Sequence, residues 1–282
     1  MWMLTVMKLL RMLHLLACAS RVVALAFLAG GTLPAIGSSQ TAKELIADAC
    51  HNEVQQREKK TLWTYIAERR TDNHVFREQV IETVDAPVRH LLEVDGYPPT
   101  STQLKEENDR NQELLNNASR RHALQKQQDD DDKKIEELLL IIPEAFVFED
   151  QGREGQSEKI AFHPNPDFEP RTYEQRVLHV LDGTVFVDLG DKRIVRLSGS
   201  LKARVEFGYG LIGHVQRGGF TDITRVHLST GVWKTSAEKI NIDGRFVIFK
   251  TINKHQDETR TGFEPVMSGT TFAQALHKTE DK

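Results

Sequence analysis

The sequence predicts an α+β protein built around a large antiparallel β-sheet. Between Gly183 and Lys254, alternating apolar and polar runs are interrupted about every 8 to 12 residues by turns that contain glycine, a spacing typical of antiparallel sheets. Upstream, stretches with helical periodicity predict several helices. Only Cys50 would remain after removal of a predicted export signal, so a packed apolar core must stabilise the fold.

Residues 1–37 have the organisation of an export signal. The apolar run Val22–Leu33 follows a few basic residues, and Ala35-Ile36-Gly37 places small residues where a signal peptidase cleaves. The prediction is a mature chain that begins near Ser38 and is periplasmic or secreted. The alternative is a membrane anchor, either through the uncleaved N-terminal segment or through a lipid on Cys18.

The charge balance argues against a nucleic-acid partner. The chain has 37 basic and 41 acidic residues and a formal charge of −4. Loss of Lys8, Arg11 and Arg21 with the signal would make the mature charge about −7, whereas a nucleic-acid surface needs clustered lysine and arginine.

The mature chain opens with a predicted helix and a small sheet. Thr41 and Glu44 form a capping box, and an apolar stripe follows at helical spacing, comprising Leu45, Ile46, Ala49 and Val54. The period then becomes two, which predicts three strands, Leu62–Arg70, His74–Val84 and Val88–Val94, with a turn at Thr71-Asp72-Asn73.

Ser101–Lys134 is predicted to be a polar, mobile, mostly helical insertion outside the core, capped by Thr100 or Ser101. The run Asp129–Asp132 is interpreted as a solvated charge run. A calcium loop would need alternating ligands and a central glycine, which this run lacks. A buried helix end, Ile135–Ile142, is predicted to stop before Pro143.

The remaining elements are mostly strands. Gln151–Ser157 is a predicted polar loop between two of them, and Tyr173–Leu181 is either a short helix or irregular. Gly190-Asp191-Lys192 and Asp243-Gly244 are predicted turns, and the tail 255–282 is polar and predicted to be flexible. The predicted strands are Ala145–Glu149, Lys159–His163, Thr184–Leu189, Arg193–Ser200, Leu201–Phe207, Leu211–Val215, Phe220–Leu228, Val232–Ile242 and Arg245–Asn253.

Apolar residues at period two predict one continuous face of this sheet. Glycines between 208 and 213 indicate bends or bulges where the sheet curves. The residues predicted to share the face are Val185, Val187, Leu189, Val195, Leu197, Val226 and Leu228.

Two adjacent motifs resemble a known family. Gly183-Thr-Val-Phe-Val-Asp188 followed by Asp191-Lys-Arg-Ile-Val-Arg-Leu197 is similar to the LolA-like family of outer-membrane lipoprotein-sorting proteins and its exported relatives. Further matching stretches are Trp63-Thr-Tyr-Ile66, Leu92-Glu-Val-Asp-Gly96 and Phe162-His-Pro-Asn-Pro166. The likeness extends from Leu45 to Asn253 and consists of spaced strands and turns.

The resemblance implies a single half-barrel domain over residues 38–254. In that fold a strongly curved antiparallel sheet, an incomplete β-barrel, carries helices on its concave side and encloses an apolar cavity. The implied function is a periplasmic, non-enzymatic carrier for a hydrophobic acylated ligand, a lipoprotein or a lipid. No ligand-contact residues carry over from the family; the candidate cavity wall is Trp63, as an aromatic, together with the predicted apolar face. The alternative is a structural or envelope-stress and assembly module, with an envelope-protein partner and a cavity filled by side chains.

The sequence offers no catalytic, metal or cofactor signature. Five candidate histidines, His163, His179, His214, His227 and His255, are scattered without ligand spacing. Gly208-x-Gly210-x-x-Gly213 matches a dinucleotide motif by letters, but its flanks read as antiparallel strands and not as a strand followed by a helix. We therefore predict no enzyme activity, no cofactor and no metal.

Overall fold

The computed structural model describes residues 40–58, 61–207, 213–229, 231–246 and 251–280. The predicted export signal and most of the predicted bend at residues 208–213 lie outside these residues. The helices within them are α1 (Ala42–Glu58), α2 (Ser101–Asn116), α3 (Ala118–Ala145), α4 (Tyr173–Leu178) and α5 (Phe272–Glu280). The strands are β1 (Trp63–Arg70), β2 (Val75–Ile81), β3 (Val88–Val94), β4 (Phe146–Glu154), β5 (Ser157–Pro164), β6 (Leu181–Asp188), β7 (Arg193–Leu201), β8 (Val205–Phe207), β9 (Gly213–Val215), β10 (Phe220–His227), β11 (Trp233–Phe246) and β12 (Thr251–Pro265).

All the strands described belong to one antiparallel sheet, which confirms the predicted α+β class. The strand order is β3-β2-β1-β12-β11-β10-β7-β6-β5-β4, and β8 joins the side of this path through β9, which pairs with β11. Because β3 and β4 stand at opposite ends of the order, the sheet is not closed into a barrel.

Helix α1 begins as predicted. The Thr41 hydroxyl accepts the Glu44 N–H at 3.2 Å, and the Glu44 carboxylate accepts the Thr41 N–H at 2.8 Å. These hydrogen bonds satisfy two N–H groups that a helix start leaves without partners. They also lower the pKa of Glu44.

The main core lies where α1 and the second half of α3 pack over β4 to β7. The predicted stripe of α1 is buried there, with Leu45 at 4%, Ile46 at 2% and Ala49 at 0% exposure, and Val54 packs against the same cluster. On α3, Ile135, Leu138 and Leu139 face the cluster. The amphipathic pattern therefore predicted the docking face of α1 correctly, and the predicted buried helix end contributes Ile135, Leu138 and Leu139 to the core.

The prediction that the helix ends before Pro143 is wrong. Helix α3 continues through Pro143 to Ala145. A proline removes the hydrogen bond from its own nitrogen to the residue four positions earlier. In the last helical turn that is a single lost bond, which the buried neighbours Leu139 and Ala145 offset by packing into the core.

The predicted polar loop Gln151–Ser157 is mostly strand. The β4–β5 ladder extends to the pair Glu154–Ser157, with an irregularity between Asp150 and Arg153. This end of the hairpin is mainly polar on both strands, so alternation of apolar residues did not predict it. The segment Tyr173–Leu181 was predicted to be either a short helix or irregular, and it contains the short helix α4.

The prediction of a flexible tail from His255 is wrong. Strand β12 lies between β11 and β1 and pairs with both along most of its length. Helix α5 then buries Phe272 and Leu276 against Val88 of β3. The strand was missed because its residues are mainly polar, and that polarity is explained by the paired charges of this part of the sheet.

The predicted turn at Asp243-Gly244 is also wrong, because β11 runs straight through it to Phe246. Gly244 pairs with Val215 of β9. A side-chain carbon at this position would lie 2.8 Å from the backbone oxygen of His214, so only glycine allows so close an approach of two strands.

The predicted insertion 101–134 is partly built into the fold. Of the two predicted caps, Thr100 is the one that caps α2, and it forms a complete capping box with Gln103. The buried Glu107 accepts the edge N–H of Leu91 and bonds the His90 ring, both at 2.8 Å. Asp131, predicted to be solvated, is only 2% exposed. Its place on the helix side that continues to Ile135 explains this burial.

Candidate functional site

Of the residues predicted to share one face of the sheet, Val185, Val187 and Leu197 lie together in the main core. Val185 and Leu197 are direct cross-strand partners on β6 and β7, and both are buried with Val187 in the main core. Leu189 is partly buried and packs against the same cluster. The role of these residues in binding a ligand stays a prediction.

Two others are misplaced by the predicted alternation. A bulge in β7 places Ile194, and not Val195, opposite Val187, because one extra residue shifts the face that follows it. On β10, Ile223 is the buried partner of Leu197. Val226 is three residues further on, so it points to the other face and is 36% exposed.

The two remaining predicted wall residues belong to a separate small cluster. Leu228, at the end of β10, packs against Trp63 and Tyr65 of β1. This cluster borders a cleft of about 610 Å³. The lining comes from the end of α1, the start of β1, the β6–β7 and β10–β11 turns and the segment after β12, and comprises Asn52, Gln55, Gln56, Thr61, Leu62, Trp63, Asp191, Arg193, Gly231, Val232, Trp233, Pro265, Val266 and Ser268.

Trp233 is held in the cleft from three sides. The Gln56 side chain donates to its backbone oxygen at 2.9 Å and accepts from its backbone N–H at 3.1 Å. Its indole N–H donates to the Asp191 carboxylate at 2.9 Å, and the His227 ring stacks on it at 5.1 Å between centroids. The indole is therefore fixed before any ligand arrives.

Trp63 is fixed at the other side of the cleft. Its indole N–H donates to the Thr61 hydroxyl at 3.2 Å, and its backbone N–H donates to Glu82 at 3.0 Å. Glu82 also accepts two hydrogen bonds from Lys234, at 3.0 and 3.1 Å. Burial lowers the pKa of Lys234, and the Glu82 carboxylate opposes this shift.

A buried ion cluster lies under the cleft and joins α1 to the sheet. Arg193 donates twice to the Glu53 carboxylate, at 2.9 and 2.8 Å, and Arg225 also donates to Glu53. Burial by itself would raise the pKa of Glu53, but the charges and hydrogen bonds of the two guanidinium groups outweigh it, and the pKa lies below its ordinary value. Glu53 is therefore ionised at neutral pH.

The turn between β6 and β7 completes the polar side of the cleft. Lys192 adopts a left-handed backbone conformation with φ of 49°. The Asn52 amide donates to the backbone oxygens of Asp191 and Lys192, at 3.3 and 3.1 Å. These bonds hold the Asp191 side chain beside the C-terminal half of α1.

The side chains that line the cleft offer groups for binding a ligand. Burial raises the pKa of the Cys50 thiol to about 12, so it is a poor nucleophile at neutral pH. Over the residues that the structure describes, no group of three histidine, cysteine or carboxylate side chains is placed to hold a metal ion. Within the same residues, no helix combines the length and hydropathy needed to cross a membrane.

Three of the five candidate histidines contact different carboxylates. His163 contacts Asp182 at 2.6 Å, and His255 lies between Asp72 and Asp243 at 3.2 Å from each. His227 contacts two residues of the cleft lining, Asp191 and Trp233.

The ion cluster and the polar side of the cleft were missed by sequence reasoning. One signal for them existed. Glu53 lies three or four residues after Ala49 and Cys50, on the apolar stripe of α1, and an acidic residue on a docking face requires a buried partner. The partners Arg193 and Arg225 lie about 140 and 172 residues away in the chain, so no local pattern could identify them.

No protein-family profile, curated protein sequence or solved structure matches this chain. The similarity to LolA-like proteins therefore rests on the quoted sequence motifs alone.

Proposed function

We propose that the protein is an exported, non-enzymatic binding or carrier protein for a hydrophobic acylated ligand, a lipid or a lipoprotein. The observation that carries the proposal is the cleft between Trp63 and Trp233. Its volume of about 610 Å³ is in the range of small-molecule sites, which are mostly apolar with a few fixed polar groups.

The apolar lining of the cleft supports an acyl ligand. Leu62, Val232 and Val266 are partly exposed there, and Pro265 is exposed. Burying apolar surface contributes about 25 cal/mol per Å², so a few methylene groups on this lining would supply most of the binding free energy. The polar groups at the end of α1 would fix the orientation of the head of the ligand.

One observation favours a second candidate, a structural or assembly module without a carried ligand. The space between β4–β7 and the helices α1 and α3 holds a continuous cluster of buried side chains. An acyl chain would have to displace residues such as Ile135 and Ile160, each 0% exposed, to occupy the interior. In this candidate the cleft receives a side chain of an envelope protein.

Tryptophan fluorescence tests the choice directly. The chain has three tryptophans, and in a chain that begins at Ser38 both remaining indoles, Trp63 and Trp233, line the cleft. A bromine-labelled dodecyl probe should quench them with saturation. Val232→Glu, in the cleft lining, should abolish the quenching, and the exposed Val147→Glu on β4 should not.

Native mass spectrometry can give the result that would refute the carrier proposal. Co-purified lipid is expected for a carrier. A homogeneous unliganded mass, together with no saturable quenching by any acyl probe, would refute the carrier proposal and leave the assembly module.

Export is tested separately by cell fractionation with N-terminal sequencing. The expected result is a periplasmic chain that starts near Ser38. A lipid adduct on Cys18 would indicate an anchored lipoprotein, and full-length chain in the cytoplasm would refute export.

A further inference from the structure

We infer that the cleft binds an anionic head group of its acyl ligand, a carboxylate or a phosphate, at the guanidinium group of Arg193. The acyl part of this inference rests on the proposed function. The anionic part rests on two observations. The side chains buried under the cleft carry an excess positive charge, and one nitrogen of the buried Arg193 is left without a protein partner at the cleft.

The described side chains buried under the cleft are not electrically balanced. Arg193 and Glu53 are 8% and 9% exposed, and the side chain of Arg225 is 12% exposed. The two guanidinium groups share the single Glu53 carboxylate, so two positive charges and one negative charge leave an excess of one positive charge. The other bonds of Arg225 go to neutral backbone oxygens, and the neighbouring Lys234 is already paired with Glu82. A buried charge without a counter-ion is unfavourable, so this set favours an anion in the cleft.

Arg193 keeps one donor group for such an anion. Its Nε and Nη2 donate to the Glu53 carboxylate at 2.9 and 2.8 Å, whereas Nη1 makes no hydrogen bond with the described residues. Nη1 is not enclosed by the protein, and the cleft is the space that Arg193 borders. Because the two bonds to Glu53 fix the plane of the guanidinium group, the Nη1 donor is held in position before a ligand arrives.

Asp191 is the acidic residue of the described lining, and it does not cancel the buried charge. Its side chain is 48% exposed, so water screens its interaction with a ligand. Its carboxylate already accepts the indole N–H of Trp233 at 2.9 Å and lies 3.5 Å from Nε2 of His227. A cationic head group would therefore gain little from Asp191 and would be repelled by the buried guanidinium groups.

An acyl anion fits both parts of the lining. Leu62, Val232 and Val266 are partly exposed in the cleft and can contact the methylene groups of the tail. Nη1 of Arg193 can donate to an oxygen of the head group, and a hydrogen bond between two charged groups is shorter and stronger than a neutral one. A neutral head group would form the weaker bond and leave the excess positive charge uncompensated.

The test compares probes with one dodecyl tail and different head groups, with the fluorescence of Trp63 and Trp233 as the signal. Dodecanoate, dodecyl phosphate, dodecyl maltoside and dodecyltrimethylammonium are titrated below their micelle concentrations into the chain that begins at Ser38. The better of the two anionic probes should bind at least about tenfold more tightly than the neutral or the cationic probe, and it identifies the head group. Inorganic phosphate should compete only weakly with dodecyl phosphate, because it makes the contact with Arg193 without the apolar contacts.

Charge variants sharpen the test. Arg193→Gln removes the excess positive charge, so the preference for the anionic probes over dodecyl maltoside should fall to less than about twofold. Arg204→Gln removes the same charge from an exposed residue outside the cleft lining and should leave the preference unchanged. Asp191→Asn keeps an oxygen for the Trp233 N–H and removes a screened negative charge, so the anionic probes should bind about threefold more tightly while dodecyl maltoside binds as before. Near-ultraviolet circular dichroism checks that each variant is folded. If Arg193→Gln does not fold, the head-group series on the natural chain and on Asp191→Asn decides.

The outcomes separate this inference from the proposed function. If dodecyl maltoside or dodecyltrimethylammonium binds as tightly as the better anionic probe, the anionic head group is overturned and acyl binding stands. A folded Arg193→Gln chain that keeps the full preference for anions would overturn the site at Arg193. If inorganic phosphate binds as tightly as dodecyl phosphate, the tail contributes nothing, so the carrier proposal fails while the anion site stands. If no probe binds, both proposals fail.

Discussion

The core face of the sheet changes its chemistry halfway across. From β4 to β7 the face that carries Val185 and Leu197 is apolar and lies under α1 and α3. On β11 the alternation places Glu238 on the same face as the core residues Ile240 and Ile242. Beyond Glu238 the face mixes buried charges with apolar residues: Glu258 and Arg260 on β12 and Glu78 on β2 are buried beside Trp63, Tyr65, Ala67 and Val80 of β1 and β2.

The buried charges of this polar half are arranged so that each has a partner. Glu238 and Glu258 are directly opposite each other on β11 and β12, which would be unfavourable for two like charges. Arg260 donates to Glu258 at 2.6 Å and to Glu238 at 3.3 Å. Two strands further, Arg89 donates to Glu78 at 2.8 Å.

The contrast teaches that alternation predicts a strand and its faces but not what the buried face contains. In the apolar half, burial itself stabilises the fold. In the polar half, the pairing of charges must offset their desolvation. Burial also raises the pKa of Tyr65, which lies 5.7 Å from the Arg260 guanidinium, to about 12. The two halves should therefore respond differently to substitution.

The largest effect is expected for Arg260→Leu. It removes the guanidinium that bonds both Glu238 and Glu258, which stay buried and opposite each other, so the free energy of unfolding should fall by about 3 to 5 kcal/mol. Urea denaturation measures it. The control is Arg204→Leu, which removes an exposed contact with Glu206 and should cost less than about 1 kcal/mol. An equal, small effect for both variants would contradict a paired and buried network.

The ion cluster under the cleft should make stability depend on pH. The pKa of Glu53 is lower in the folded protein than its ordinary value of 4.5. Its stabilisation is therefore fully present above about pH 4.5 and is lost as the pH falls through the folded-state pKa. Glu53→Gln should cost about 3 kcal/mol at pH 7, and the difference from the natural protein should shrink below pH 4.5.

The measurement is urea denaturation across this pH range. The exposed Glu149→Gln on β4 is the matched control, for which a pH-independent difference near zero is expected. A gap between Glu53→Gln and the natural protein that stays constant down to pH 2 would show that the carboxylate is not the stabilising group.

The apolar half is tested by two substitutions on one helix. Ile135, 0% exposed, lies in the core, whereas Leu140 of the same helix is 61% exposed. Ile135→Ala should cost about 2 to 5 kcal/mol, because it removes buried methyl groups and leaves a cavity. Leu140→Ala should stay within about 0.5 kcal/mol. Similar losses for the two variants would mean that α3 does not dock on the sheet through this side.

Sequence reasoning succeeded where the pattern was local. The capping box at Thr41, the cap at Thr100, the strand Val88–Val94 and the contact of Val185 with Leu197 all depend on residues close in sequence or joined by a short turn. It failed at β12, whose pairing with β1 joins residues about 200 positions apart.

In the candidate site too, sequence reasoning found a residue with a local signal and missed residues that act on distant parts of the chain. Trp63 was predicted to be a core or cavity-wall aromatic, and it lines the cleft. Gln56 and Asp191, which hold Trp233, were missed because each acts on a residue in another part of the chain. A hydrogen bond between distant segments has no periodicity, so it leaves no pattern in one sequence.

The smallest effects are expected for removing the two helix caps, which are compared with each other. Thr41 caps α1 over the apolar half, and Thr100 caps α2, which contacts the polar half through Glu107 and Leu91. Removing a threonine cap costs about 1 kcal/mol when the helix unfolds together with the whole domain. Thr41→Ala should show that loss in urea denaturation.

Thr100→Ala should show a similar loss only if α2 is a cooperative part of the fold. The buried Glu107 bonds and the hydrogen bonds from Arg121 to Asp85 and to the Leu114 carbonyl lead us to expect that it is. A mobile insertion, as the polar sequence suggests, would instead leave the global free energy unchanged while amide hydrogen exchange in α2 became faster. Hydrogen exchange on the two variants therefore decides whether the polar half ends at β3 or includes α2.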